Sequence, residues 1–154
     1  MSLNGVKTFF QQYGIENRII EMDQSTATVD LAAKAHGVEP GQIGKTLSFK
    51  IDDEPVLVLT SGDAKIDNKK YKVFFCKKAK MLTPEEALEH TGHEVGGICP
   101  FGLKKPVKTY LDVSMKRFAE IIPAAGSINS SIRLTLAELE KYTEYAEWID
   151  VCKL

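Results

Sequence analysis

The feature that most constrains this chain is a pair of strand-like runs, Thr46 to Ile51 and Pro55 to Thr60, separated only by Asp52, Asp53 and Glu54. So short a polar connection returns the second run along the first, and the two are expected to form an antiparallel hairpin. A hairpin cannot be stable by itself, so the remaining sequence must supply elements that cover its apolar side chains.

Those elements are legible. Val6, Phe9, Phe10 and Tyr13 recur at helical spacing before Gly14, which predicts an opening helix with a glycine stop. Arg18 to Glu21 reads as a strand. Thr26 to Ala35 reads as a second helix, ended by His36 and Gly37 ahead of Pro40. Beyond the hairpin, Asp67 to Phe74 reads as a short lysine-rich helix, and Thr83, Pro84 and Glu86 form a capping-box pattern for a helix to His90 that Gly92 closes. Val107 to Leu111 and Ala119 to Ile122 are predicted strands around a turn or short helix at Asp112 to Phe118, and Ser131 to Leu134 is another. Thr135 with Glu138 repeats the capping box for a helix to Tyr142, and Ala146 to Val151 is predicted as an edge strand. This irregular alternation, with short connections between neighbouring strands, predicts an α+β fold. Its sheet should be mixed or mostly antiparallel and flanked by helices, in one domain spanning residues 1–154.

Composition acts mainly by exclusion. With 44% hydrophobic and 27% charged residues and a formal net charge of −1, the chain resembles neither a disordered segment nor a membrane protein. No apolar run approaches the roughly 18 to 20 residues needed to span a bilayer, and Met1 to Lys7 lacks the apolar core of a secretory leader, so no membrane is expected and the cytoplasm is the expected compartment. Cys76, Cys99 and Cys152 are odd in number, widely spaced and without a C-x-x-C pair, so they read as free thiols. His90 and His93 lack a third ligand at a useful spacing, and His36 reads as a helix-end residue, so no metal is assigned. Neither a G-x-G-x-x-G nor a P-loop string is present, and no cofactor is expected.

Four features remain that packing does not require. Lys45 lies between Gly44 and Thr46, where a loop enters a strand; it is either a fixed positive charge for a phosphate or sugar, or one more solvated lysine. Gly96, Gly97, Ile98, Cys99 and Pro100, followed by Phe101 and Gly102, make either a tight turn or a loop whose backbone N–H groups cradle a carbonyl or carboxylate. Cys99 with His93 six positions earlier would suit a thiol nucleophile, but no activating base or helix N-terminus is evident, and a small buried residue is the simpler reading. Gly126 and Ser127, followed by Asn129, Ser130 and Ser131, form a small-residue turn that either lines a pocket or satisfies its own backbone. Finally, Lys65, Lys69, Lys70, Lys72, Lys77, Lys78 and Lys80 crowd one stretch with Tyr71, Phe74 and Phe75 interleaved, and Lys104, Lys105 and Lys108 follow the glycine loop. Such clusters suit a nucleic-acid backbone or a solvated face.

In order and spacing, Gly44-Lys45-Thr46-Leu47, then Val95 to Gly102 with Lys104 and Lys105, then Ala125-Gly126-Ser127 resemble the YbaK family. These are aminoacyl-tRNA deacylase domains related to the editing insertion of bacterial prolyl-tRNA synthetase. The resemblance covers Phe9 to Tyr142. It implies a mixed, largely antiparallel sheet closing toward a barrel. It also implies a trans-acting hydrolase that removes a wrong amino acid from the 3′ end of a tRNA, typically tRNA for proline, with that synthetase as a possible partner. Lys45 matches the family lysine near the terminal adenosine and the reacting ester. Gly96 and Pro100 match the ends of the G-x-x-x-P loop that handles the aminoacyl carbonyl, with Gly97 between them, and Gly126 and Ser127 match the turn at the far side of the pocket. Ile20, Thr26, Thr46, Ile98 and Cys99 are the candidate contacts to the amino acid. Thr46 resembles the cysteine-removing branch, whereas Ile20 and Ser131 stand where that branch often has tyrosine and aspartate, and Cys99 replaces the usual serine or threonine.

Overall fold

The computed structural model describes residues 2–154. In chain order the elements are α1 (Ser2–Gln11), β1 (Ile19–Glu21), α2 (Val29–His36), β2 (Ile43–Ile51), β3 (Glu54–Ser61), β4 (Lys65–Ile66), α3 (Asn68–Phe75), α4 (Pro84–Thr91), β5 (Lys108–Asp112), β6 (Glu120–Pro123), β7 (Ser130–Ile132), β8 (Leu134–Thr135), α5 (Leu136–Tyr142), β9 (Tyr145–Ile149) and β10 (Cys152–Lys153). Three 3-10 turns, at Glu16–Arg18, Pro40–Gln42 and Val113–Arg117, join them.

The expected hairpin is the centre of the molecule. β2 and β3 pair antiparallel from Gly44 opposite Ser61 to Ile51 opposite Glu54. The connection is a two-residue turn in which Asp52 and Asp53 both have positive φ, 49° and 67°. That geometry matches the twist of the flanking strands, and aspartate tolerates it better than most side chains. Around the hairpin a six-stranded sheet runs in the order β8-β6-β2-β3-β5-β9 and curls into a half-barrel. β6 joins β2, β5 joins β3 and β9 joins β5 in parallel, while β8 joins β6 antiparallel, so the fold is α+β with a mixed sheet. Two antiparallel pairs, β1 with β7 and β4 with β10, close its margins.

β3 is buried on both faces. Leu59 packs into a cluster with Phe10 of α1, Phe101, Leu111, Ile121 and Leu139, whereas Val56 and Val58 enter a second cluster with Phe49, Tyr71 of α3, Tyr110 and Ile149. Alternate residues serve opposite faces, as the two-residue period of a strand requires. Each fully buried side chain of this size contributes about 1.5–3 kcal/mol through removal of apolar surface from water.

The helix caps follow their sequence signals. Thr83 with Glu86 and Thr135 with Glu138 each make both hydrogen bonds of a capping box, and Gly37 and Gly92 end α2 and α4 in the left-handed conformation. Several boundaries differ from expectation: β2 starts at Ile43 rather than Thr46, and α1 ends at Gln11, short of Tyr13 and Gly14. α2 starts at Val29 rather than Thr26, because Thr28 accepts the N–H of Leu31 as N-cap while Thr26 donates its N–H to Ile128 O at 2.6 Å. The run read as one strand from Ser131 to Leu134 divides into β7 and β8, which pair with β1 and β6 respectively. Among the described residues no helix is long and apolar enough to cross a membrane.

Candidate active site

β2 is bonded along one edge to β3 and only at its two ends along the other. β6 meets it at Ile43 and Gly44. The segment 80–82 meets it at Ser48 and Lys50, through Lys50 N–H to Lys80 O (2.8 Å) and Leu82 N–H to Ser48 O (3.1 Å). Even-numbered residues of β2 therefore turn their backbone groups to this edge, and at Thr46, between the two neighbours, no strand meets them among the described residues. The gap opens into a cavity of about 270 Å³, at the small end for a ligand site.

Thr46, Gly96, Ile98 and Thr26 line this cavity, over a floor that includes Ala32 and Ile122. Lys45 is the one ionisable residue on its wall among the described residues. Its ammonium donates to Ala64 O at 2.5 Å, and burial, opposed by the nearby Cys152 and Asp63, lowers its pKa. The Thr46 hydroxyl is buried and has no hydrogen-bond partner, so the wall carries an unspent polar group. The segment before α2 is fixed to the 126–130 turn by Thr26, whose N–H and hydroxyl both donate to Ile128 O, and by Asn129, which exchanges bonds with Met22.

The glycine loop is held by close approach. Gly96 has φ +96°, and a Cβ there would stand 3.0 Å from Ala27 Cβ. A Cβ on Gly97 would lie 2.7 to 2.8 Å from backbone atoms of Gly126 and Ser127, so the loop and the small-residue turn touch backbone to backbone. Behind them α1 closes in, since a Cβ on Gly126 would lie 2.7 Å from Ser2 O and one on Gly102 2.7 Å from Gly5 O.

The expected site residues are thus divided. Lys45, Thr46, Thr26, Gly96 and Ile98 share the cavity. Gly97, Gly126 and Ser127 line a second, wider groove of about 780 Å³ on the other side of the loop, beside Lys104. The Gly97 N–H is taken by Glu94 O at 2.9 Å, whereas those of Gly96 and Ile98 have no acceptor among the described residues. Ser127 Oγ is engaged with Asn129 (2.9 Å) and Ser130 (2.6 Å). Pro100 is buried and faces a third groove next to Phe9 and Tyr142, away from the cavity. Ile20 pairs with Ser131 across β1 and β7; Ser131 lines the cavity and Ile20 does not.

Cys99 lies in the core behind the wall, fully buried with Phe10 and Phe101. Its sulfur is 3.5 Å from His93 Nε2, but that nitrogen is 2.8 Å from Phe101 O, the acceptor for its proton. Burial pushes the thiol up to about 12 and holds the imidazole below its ordinary value of 6.5. A thiolate and imidazolium pair does not form under those conditions, which removes the reading of Cys99 as a nucleophile.

Val95, at the head of the glycine-loop motif, also lines the cavity, as do Met81 and Leu82, which no local sequence signal marks. Met81 arrives through an isolated antiparallel bridge to Phe49, a tertiary pairing without a local periodic signal.

A family model described as the aminoacyl-tRNA editing domain matches residues 23–142. The chain is 51% identical over 154 residues to the protein YwhH of Bacillus subtilis (strain 168), itself uncharacterized, covering 99% of this chain and 98% of that one. It is 33% identical over 109 residues to EbsC of Enterococcus faecalis, named as a candidate Cys-tRNA(Pro)/Cys-tRNA(Cys) deacylase, covering 70% of this chain and 66% of that one. A crystal structure described as a candidate trans-editing enzyme for prolyl tRNA synthetase superposes with a TM-score of 0.89 at 31% identity, covering 99% of this chain and 98% of that one. With most of its length matched by the family model and its fold shared from end to end with such a relative, the chain belongs to the aminoacyl-tRNA editing domain family.

Proposed function

We propose that the protein is a trans-acting deacylase that hydrolyses the ester between a small amino acid and the 3′ end of a tRNA, with tRNA for proline carrying cysteine or alanine as the first candidates. The observation that carries this reading is the cavity at Thr46. It is small, mostly apolar and open to a strand edge, with Lys45 the one ionisable residue among its described lining residues. A side chain the size of cysteine or alanine fits its floor, and each added methylene would shift selectivity by about 1–3 kcal/mol.

An aminoacyl ester is already activated, so positioning and charge stabilisation suffice without an acid–base pair. Water adds to the carbonyl carbon, the ester C–O bond breaks, and the departing ribose oxygen takes up a proton as the amino acid leaves. The N–H groups of Gly96 and Ile98 are the candidate donors to the oxyanion. The Thr46 hydroxyl and backbone hold the amino acid, and Lys45 leaves Ala64 O to meet the negative charge of the terminal nucleotide. Gly97, Gly126, Ser127 and Pro100 shape the wall, and Cys99 supports it from the core. The reading carries with it the cytoplasm as the compartment and prolyl-tRNA synthetase, the source of the mischarged tRNA, as the candidate partner.

The test is a deacylation panel with tRNA for proline charged with cysteine, alanine, serine or proline. Release from the cysteine or alanine ester is expected, and no release from any of the four would overturn the proposal. A second reading, a binding module without turnover, is favoured by one observation, the bond that occupies Lys45. Lys45→Ala separates the two. A hydrolase loses turnover, while a binding module loses only affinity.

A further inference from the structure

The seven lysines between Lys65 and Lys80 stand against a single acid, Asp67, and leave this stretch with a surplus of six positive charges. In a chain of formal net charge −1, all other residues together then carry −7. Such segregation marks an electrostatic footprint rather than evenly spread solubilising charge.

The structure gives the footprint a shape. On α3, Tyr71 and Phe75 pack against Phe49 and Tyr110, which turns Lys69, Lys72 and Val73 outward, Val73 being 81% exposed. Cys76 ends the helix in the left-handed conformation, and the chain then carries exposed Lys77, Lys78 and Lys80 past the hairpin turn and along the Lys50 end of β2 to Met81, which lines the cavity and stands 56% exposed. Two of the seven have carboxylate partners, Lys70 with Asp150 and Lys77 with Asp52. Lys65, Lys69, Lys72, Lys78 and Lys80 have none among the described residues. A basic strip with five lysines unpaired among the described residues, ending beside the cavity, is complementary to a polyanion whose terminus enters the cavity.

We infer that the outer face of α3 and the segment 77–80 form the docking surface for the acceptor stem of the tRNA, with lysines contacting stem phosphates while the 3′ end reaches the cavity past Met81. The inference rests on the deacylase reading for its substrate, but its surface is testable separately. Lys104 and Lys105, which line the two other grooves, serve as the control.

The experiment measures binding of an uncharged acceptor-stem minihelix across a salt series. It also measures hydrolysis of charged minihelix and of a short aminoacyl-adenosine ester that has no stem. Lys69→Gln, Lys72→Gln, Lys78→Gln and Lys80→Gln combined should weaken minihelix binding at least about tenfold at low salt and flatten the log–log salt slope by roughly 3. Hydrolysis of the stemless ester should be unchanged, which also shows that the variant is folded. The combined variant at Lys104 and Lys105 should bind like the parent. Parent-like binding by the quadruple variant, loss confined to the control variant, or binding of phosphatidylserine vesicles in place of RNA would each overturn the inference. Lysine-dependent minihelix binding by a protein inert toward every ester would keep the surface and remove the deacylase reading instead.

Discussion

Two walls of the same cavity are built in opposite ways. β2 is held by a continuous ladder to β3 and is open only at Thr46, so its contribution is a regular strand with one stretch of edge left unpaired. The 96–102 loop has almost no ladder to rely on; it is fixed by glycines pressed against other backbones and by Cys99 and Phe101 anchored in the core. The strand side can change a side chain and keep its shape, whereas on the loop side the absence of side chains is the shape. The first wall should therefore fail in activity before stability; the second should fail in both where a glycine is replaced, and in stability alone where a side chain anchored behind it is trimmed.

The largest effect is expected at Gly97. A Cβ at 2.7 Å from backbone cannot be accommodated by rotating a side chain. Gly97→Ala should cost about 1–3 kcal/mol in urea unfolding by overpacking and reduce deacylation about a hundredfold through displacement of the loop. A variant with parent-like stability would break the comparison.

Lys45→Ala comes next and tests the strand wall. Turnover should fall about tenfold to a hundredfold, with stability changed by no more than about 1 kcal/mol, since the ammonium surrenders one hydrogen bond to Ala64 O. Equal losses in both measurements would show that the two walls are not different in kind.

Cys99→Ala should cost about 1 kcal/mol by leaving a small void in the core, while kcat/KM for the charged tRNA stays within about twofold. Loss of activity without loss of stability would return Cys99 to the chemistry.

The smallest effect concerns pH. His93 is buried, its Nδ1 has no partner, and burial holds its pKa below the ordinary 6.5. The unfolded chain therefore binds a proton at a higher pH than the folded one. The contribution to stability is full above 6.5 and is lost as the pH falls from there through the folded value. The Tm of the parent should drop between about pH 7.5 and 5.5, and His93→Gln should show a shallower drop. Parallel curves would mean that the core behind the loop does not sense protons.

Legibility in the sequence follows the same division. The hairpin, the two capping boxes and the glycine stops of α2 and α4 were readable because each depends on residues a few positions apart. Lys45, Gly96 and Gly126 were readable as features without a packing excuse, and the family resemblance put them in one site. What could not be read was the partition of the loop. Nothing local says that Gly96 and Ile98 face the cavity while Cys99 and Pro100 face away, or that the Gly97 N–H is consumed by Glu94. Met81 escaped for the same reason, since its place is set by a bridge to Phe49 more than thirty residues away in sequence. The apolar spacing from Val29 to Ala35 carries the predicted helix back to Thr26, whose bonds to Ile128 keep it outside α2.

The contact of α1 with Gly102 and Gly126 bears on the order of assembly. The hairpin closes on a turn of two residues and can form early, whereas α1 must find partners across most of the sequence, and such distant contacts are made late because chain entropy has to be given up first. Since those partners are the two site loops, the central sheet can exist before the loops acquire their final form. Activity regained on refolding should then lag behind the far-UV circular dichroism, which reports the formation of the secondary structure.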